Sequence, residues 1–344
     1  MDRILTTGAT GRLGANVASA LTGRGCHVRC LVMPQDPQRK KLDDMDVEIV
    51  EADLADAEKA QDAVKGIRKV VHMAAIMDEV PEGMSNVDYF DVNTRGTFAL
   101  MDAAHKHGVE KFVYTSSTAV YDVLTAKDVP VREDSPLLPH AEYGVTKVAA
   151  EAALMSMSFM HDLPLVILRP SYIMACDEVL NALGAPWNTV FGLKSAREPW
   201  CGFHVPDLKG EPWGEIERKA AENPELSFIP YGPNGKAWHW HVTDVRDVVH
   251  AVMLGLETDE IQRDIFNIAG PRPTDFEEAV RYKCRNLRTS YEEVHTEVTW
   301  RLEFDITKAR DLLGYAPEYD VIRMIDDAVE FRSGKDIGVI PALV

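Results

Sequence analysis

Several things are scarce or missing in this chain of 344 residues, and each absence removes a class of function. No run of 18 or more apolar residues occurs, so nothing in it reads as a bilayer-spanning helix. Positive charge is in deficit, with 37 Lys and Arg against 55 Asp and Glu and a formal net charge of −18. Nucleic-acid binders and anionic-membrane binders need a positive footprint, so neither partner is expected, although a local basic pocket for a phosphate stays compatible. Cysteine is sparse. Cys26, Cys30, Cys176, Cys201 and Cys284 form no CxxC pair and no zinc-like cluster. That odd, scattered set reads as reduced thiols, with Cys26 and Cys30 filling core or surface. Met1-Asp2-Arg3 runs straight into Ile4-Leu5-Thr6-Thr7, without an apolar leader or a small-residue cleavage site. A cytoplasmic protein is therefore expected. No internal repeat or low-complexity tract is visible.

What is present is ordinary globular material, 46% hydrophobic and 27% charged. At this length folding buries about 75% of the unfolded chain's surface, so the core needs no staple. The first 170 residues alternate short Val- and Ile-rich runs with helical patterns. The runs are Arg3–Thr7, His27–Met33, Val47–Glu51, Lys69–His72, Lys111–Thr115 and Leu165–Leu168. Near-continuous apolar character suits parallel strands covered on both faces. Helices are expected between them, including Ala57–Lys65, Val87–His107 and Tyr143–Met160. The alternation implies an α/β protein with right-handed crossovers and a doubly wound parallel sheet. Prolines and glycines become frequent from Cys176 to Trp240, where five of the six tryptophans fall: Trp187, Trp200, Trp213, Trp238 and Trp240. Alternation returns in Trp238–Val242 and Ile265–Ile268. The middle and end read as a smaller lobe laid over the sheet, with Cys176–Trp240 a loop-rich cover.

Directly after the first run comes Thr7-Gly8-Ala9-Thr10-Gly11-Arg12-Leu13-Gly14. Glycines three apart permit a tight turn, close backbone approach to a pyrophosphate, and close packing of the next helix. The N-terminus of that helix offers free N–H groups to phosphates. An acidic residue about 20 positions further on would grip an NAD ribose, but Met33 stands near that place and Asp36 lies beyond Pro34. Arg12, Arg29 and Arg39-Lys40-Lys41 are candidates to meet a 2′-phosphate. NAD(P) is thus expected, with a lean toward NADP.

Tyr143-Gly144-Val145-Thr146-Lys147 puts a phenol and an ammonium on one helical face. A free tyrosine, with a pKa of about 10, is a poor base at neutral pH. A neighbouring ammonium favours the phenolate, which can then take a proton from a carbinol or return one to a carbonyl. Lys111–Thr115 ends in Ser116-Ser117-Thr118, and hydroxyls at the carboxyl end of a parallel strand face the ligand crevice.

Together these residues resemble an extended short-chain dehydrogenase/reductase of the NAD-dependent epimerase/dehydratase type. The resemblance runs through Thr7–Gly14, Asp53-Leu54, His72-Met73-Ala74-Ala75, Asn93 with Gly96-Thr97, Ser116-Ser117 with Val120-Tyr121, and Tyr143–Lys147. It continues through Leu168-Arg169-Pro170, His241-Val242-Thr243-Asp244-Val245, Phe266-Asn267-Ile268, Asp305–Arg310 and Leu313-Gly314-Tyr315. It implies Tyr143 as acid/base, Lys147 lowering its pKa and holding the nicotinamide ribose, and Ser117 as the substrate-orienting hydroxyl. Gly8, Thr10, Gly11, Arg12, Leu13 and Gly14 would cradle the cofactor. Asp53 and Leu54 would meet adenine, while Ala74, Ala75 and Asn93 would line the channel. The implied fold is a Rossmann domain over residues 1–175, with 236–270 returning to it. A substrate-binding lobe would be formed by 176–235 and 271–344. A homodimer through Val87–His107 and Tyr143–Met160 is the family habit.

Three departures narrow the expectation. Thr118-Ala119 follows Ser117 where dehydratases carry Asp-Glu, so elimination of water is not expected. Tyr172 and Ala237, the latter beside Lys236, stand where nucleotide-sugar epimerases carry Asn and Arg. His239 and His241 sit two apart, as do His105 and His107, but no third metal ligand is in view and no metal is expected. The expectation is NAD(P)-dependent hydride transfer at a secondary alcohol or ketone of a sugar, nucleotide-sugar or sugar-like small molecule, as epimerase or dehydrogenase/reductase. The alternatives are net carbonyl reduction or alcohol oxidation on a non-sugar apolar substrate and, in another class, a non-catalytic NADP-sensing regulator.

Overall fold

Alternating strand and helix signals become a three-layer α/β architecture in the computed structural model, which describes residues 2–77, 85–123, 129–182, 218–219, 222–223, 225–295 and 299–343. Strands β1 (Arg3–Thr7), β2 (His27–Val32), β3 (Val47–Glu51), β4 (Lys69–His72), β5 (Lys111–Thr115), β6 (Leu165–Pro170) and a later strand, Arg263–Ile268, form one parallel sheet. From one edge its order is β3-β2-β1-β4-β5-β6, with Arg263–Ile268 outermost. The order reverses between β1 and β4, whose Thr7 and His72 lie side by side. In sheets of this kind the crevice beyond the carboxyl ends at such a reversal is where ligands bind.

Period-two alternation splits the core in two. Ile4, Val71, Val113 and Val166 face helix α1 (Arg12–Gly23) and a second helix, Val245–Glu257, through Val17, Leu21, Val248 and Val252. Leu5, Val70, Phe112 and Ile167 face α2 (Ala57–Val64), α4 (Thr97–Lys106) and α5 (Glu142–His161) through Ala63, Leu100 and Leu154. The first cluster runs on without a break into Trp238, Trp240, Leu302, Phe304 and Met324 of the later chain.

The helix expected over Val87–His107 is three segments: α3 (Asn86–Phe90), a π-helical stretch Asp91–Gly96, and α4. A π turn holds one residue more than an α turn and recurs at functional sites. β2 stops at Val32, before the exposed Met33 and Pro34. β6 extends beyond Leu168 because Arg169 and Pro170 pair with Asn267 and Ile268.

The later chain makes small sheets. β7 (Ile173–Met174) pairs with β10 (Thr243–Asp244), and β8 (Ser227–Tyr231) with β13 (Tyr291–His295). β9 (His239–Trp240) lies between β12 (Thr274–Asp275) and β14 (Arg301–Leu302). Helix α6 (Cys176–Ala182) opens this part. Most of the expected Cys176–Trp240 cover, with Trp187, Trp200, Trp213 and Cys201, lies outside the described residues.

Candidate active site

The glycine loop leaves β1 through Gly8, whose φ of +68° suits glycine and whose missing Cβ would sit 2.8 Å from the Ala74 backbone. The loop thus lies flat against the Met73–Ala75 segment across the crevice. Gly14 lets α1 close onto the Gly8 carbonyl, well inside the reach of a side chain. No side chain caps α1 at Gly11, so the first-turn N–H groups point out uncapped. The Thr10 hydroxyl donates to Asp36 Oδ2 (2.5 Å), and the Thr10 carbonyl accepts from Lys41 Nζ (3.0 Å). Lys41 Nζ also donates to the Ala342 carbonyl (2.6 Å). Asn16 of α1 exchanges two hydrogen bonds with the Ile340 backbone, and Asp177 of α6 accepts from the Ala342 and Leu343 amides. A strap made of residues 340–343 therefore ties the loop to α6. Arg12 joins it from the other side by pairing with Glu178.

Beneath the crevice lies His72, fully buried and stacked on Tyr114 at 5.4 Å. Thr7 Oγ1 accepts from the Met73 and Ala74 amides, so its hydrogen goes to His72 Nδ1 (2.6 Å). Thr97 donates to the Asn93 carbonyl, so it accepts from His72 Nε2 (2.7 Å). That pattern fixes a neutral ring. Burial, with Lys147 nearby, pushes the His72 pKa down to about 3. Asn93 uses its amide to hold Ile76 N and O (both 2.8 Å) and Thr146 Oγ1 (3.1 Å). It fixes the Ile76 backbone. Ala74 and Ala75 are half-buried, Leu54 is buried, and Asp53 accepts from the Ala55 amide.

Ser117 ends the turn after β5 and caps the short helix Thr118–Val120, its Oγ accepting from Ala119 N (3.1 Å). The start of α5 lies against that turn because residue 144 is glycine. A Cβ there would run into the Ala119 carbonyl and meet Pro139 Cβ at 2.7 Å. Tyr143, next to that contact in the chain, is half-buried, and Lys147 sits one turn further in at 2% exposure. Lys147 Nζ donates to the Thr115 carbonyl (2.9 Å) and lies 4.7 and 5.6 Å from the ring centres of Tyr114 and Tyr143. Burial drives its pKa down to about 7, against the pull of Glu151. Three buried hydroxyls here, Tyr114 OH, Thr115 Oγ1 and Ser116 Oγ, have no protein partner.

Four of the basic residues considered for a 2′-phosphate, Arg12, Arg29, Arg39 and Lys41, have partners within the chain. Arg29 pairs with Glu48 and the Ala63 and Lys65 carbonyls, Arg39 with Glu51, and Lys41 holds the strap. Asp36, set aside on sequence for lying beyond Pro34, comes back to the loop. The signal was Asp36-Pro37-Gln38, an N-cap with proline at the first helical position. His241 donates through Nε2 to the Gly270 carbonyl and accepts from Phe304 N, which leaves no nitrogen for a metal. His239 pairs with Asp275, and His105 stacks on His161. Among the described residues no group of three or more His, Cys, Asp or Glu is placed to hold a metal ion, and no helix is long and apolar enough to cross a membrane. Trp238 and Trp240 are buried around Trp300, with Tyr172 against Trp240.

Comparison with known proteins agrees with this geometry. The sequence profile of the NAD-dependent epimerase/dehydratase family matches residues 4–176. A UDP-glucose 4-epimerase from Azospirillum brasilense is 32% identical over 178 residues, covering 51% of this chain and 50% of its own. A 3β-hydroxysteroid dehydrogenase/Δ5→4-isomerase from Mycobacterium tuberculosis is 31% identical over 187 residues, covering 50% and 47%. This chain thus spans about half the length of these two curated relatives. A short-chain dehydrogenase/reductase superfamily protein from Agrobacterium tumefaciens, crystallised with bound NAD, superposes with a TM-score of 0.81. It is 26% identical, with 96% of this chain and 97% of that one covered.

Proposed function

The chain belongs to the NAD-dependent epimerase/dehydratase family, and we propose that it acts on a secondary alcohol or ketone of a sugar-like substrate with Tyr143 as acid/base. The observation that carries this reading is the Lys147 ammonium, buried beside the Tyr143 ring on the helix whose start packs against the Ser117 turn. The glycine loop fits a dinucleotide: a flat backbone, an uncapped helix N-terminus, and a carboxylate at the rim. NAD, when bound, supplies the acceptor and donor of hydride. The protein's part is proton transfer and orientation. Ser117 Oγ holds the substrate oxygen, Tyr143 takes or returns its proton, and Lys147 favours the phenolate.

Asp36 supports NAD rather than NADP. Beside Thr10 its carboxylate is set to accept from a ribose hydroxyl and would repel a 2′-phosphate. A second reading, net oxidation of an apolar alcohol, is favoured by the likeness to the hydroxysteroid dehydrogenase.

Denaturing the purified protein and identifying the released nucleotide by mass spectrometry tests the cofactor. Retained NAD supports an epimerase that recycles its hydride, whereas an empty protein that binds added NADH supports net redox. Tyr143→Phe is expected to keep the nucleotide and to lose at least about 100-fold in turnover across a sugar, polyol and sterol screen. Unchanged turnover would refute the assignment.

A further inference from the structure

Lys147 has a solvation problem. Its ammonium is almost wholly out of water, with one carbonyl and two aromatic faces for company. Carbonyls and π faces soften the loss of hydration but do not neutralise a charge. The groups facing it from β4 and β5 carry no charge to offer. His72 is neutral by its hydrogen bonds, and Tyr114 is a buried phenol whose pKa is pushed well up by burial. On its own helix stand Tyr143 and, one turn further on, Glu151. Glu151 is the carboxylate that acts on Lys147.

Glu151 is itself only 3% exposed, and it stays in place because Arg169 of β6 grips it. Arg169 donates from Nε to Glu151 Oε1 (2.9 Å) and from a second nitrogen to Oε2, a bidentate fork that fixes the carboxylate plane. Arg169, 2% exposed, is held in turn by Tyr121 OH (2.6 Å) and by the Tyr121 ring at 4.9 Å. Tyr121 donates to Asn267 Oδ1 (2.8 Å), and Asn267 N donates to Glu133 Oε1 (2.8 Å). The β6 register, Arg169 beside Asn267, builds this chain into the sheet. A pair buried this deeply is weak evidence for stability, since an apolar replacement often does as well. Its position behind Lys147 calls for another role.

We propose that Glu151 and Arg169 are positioning residues for the acid–base site: Arg169 fixes the Glu151 carboxylate one helical turn behind Lys147, and that carboxylate keeps Lys147 protonated beside Tyr143. The idea rests on the proposed acid–base role of Tyr143. Without Glu151, Arg169 is left as an uncompensated cation facing a second one. Lys147 then sheds its proton, and the phenolate loses its partner.

The test reads Tyr143 directly and needs no substrate. Titrating the full chain at 295 nm, with Tyr143→Phe subtracted, gives the pH midpoint of that one phenol. Glu151→Gln is expected to raise the midpoint by about one pH unit or more. Glu151→Asp, which keeps the charge, should stay near wild type. The double variant Glu151→Gln/Arg169→Gln leaves neutral hydrogen-bonding amides and no orphan cation, so it guards against misfolding of the single variant. It too should show the raised midpoint. A folded Gln variant, single or double, with the wild-type midpoint overturns the proposal. If Lys147→Met also leaves the midpoint unmoved, the acid–base reading itself falls, and this inference with it.

Discussion

Single residues here do work that their local surroundings explain. Gly144 is the clearest, because its missing side chain sets the distance between α5 and the Ser117 turn. Gly144→Ala should cost about 1–3 kcal/mol in urea denaturation, the usual range for overpacking. Turnover should fall further than the lost stability explains, because Tyr143 moves with the helix end. His72 makes a different prediction. Its folded pKa, near 3, lies below the ordinary value of 6.5, so the unfolded chain binds the extra proton between those pH values. Stability that is complete above pH 6.5 is therefore lost as the pH falls toward 3. In His72→Gln the stability–pH curve should be flatter across that window, and an unchanged slope would remove His72 as a source. Tyr143, Lys147 and the glycine triplet were legible in the sequence because their geometry is local, five residues on a helix or seven in a turn. Asp36 on Thr10 and Arg169 on Glu151 were not, because only the sheet order brings those partners together.

At the scale of elements, strands were legible because Val and Ile runs report burial on both faces, as β1, β4 and β5 show, and even the half-buried edge strand β3 keeps such a run. Their ends were less so. β6 runs past Leu168 into Arg169-Pro170 because a strand from nearly a hundred residues later pairs with it there. The π-helical stretch within 86–106 was invisible, since one extra residue in a turn leaves composition and average periodicity almost unchanged. It places Asn93 on Ile76 while Tyr89, one turn earlier, still reaches the Met77 carbonyl. The strap over α1 and α6 was equally unreadable, because distant side chains (Asn16, Lys41 and Asp177) hold it by its backbone rather than by its own side chains. Asp177→Ala removes its acceptor for two amides. Hydrogen exchange should then quicken at Ala342 and Leu343, and also at the Thr10 loop held by Lys41. Quickening confined to residues 342 and 343 would mean that the strap does not brace the loop.

Among the described residues several large apolar side chains on neighbouring helices stay exposed. Val87, Phe90 and Phe98 stand exposed along α3 and α4, and Val145 on neighbouring α5. Exposed phenylalanines at these positions would suit a second copy of the chain, the pairing that the sequence led one to expect. Phe98→Glu, at a site 46% exposed in one chain, should leave the fold intact and shift the sedimentation coefficient to that of a monomer. A wild type that sediments as a monomer would refute the pairing. The core cluster that runs from Val17 and Val248 through Trp240 to Leu302 and Met324 has another reach. Because these residues form one continuous cluster, a cavity cut at Leu302 should be felt by α1 and by the helix Val245–Glu257. In a library of random variants grown in cells, inactive clones would therefore scatter across the whole sequence rather than gather at the cleft. Ligand supplied during growth holds the folded form by mass action. Extra nicotinamide precursor in the medium would rescue the distant lesions and leave Tyr143→Phe dead, sorting damage to the scaffold from damage to the chemistry.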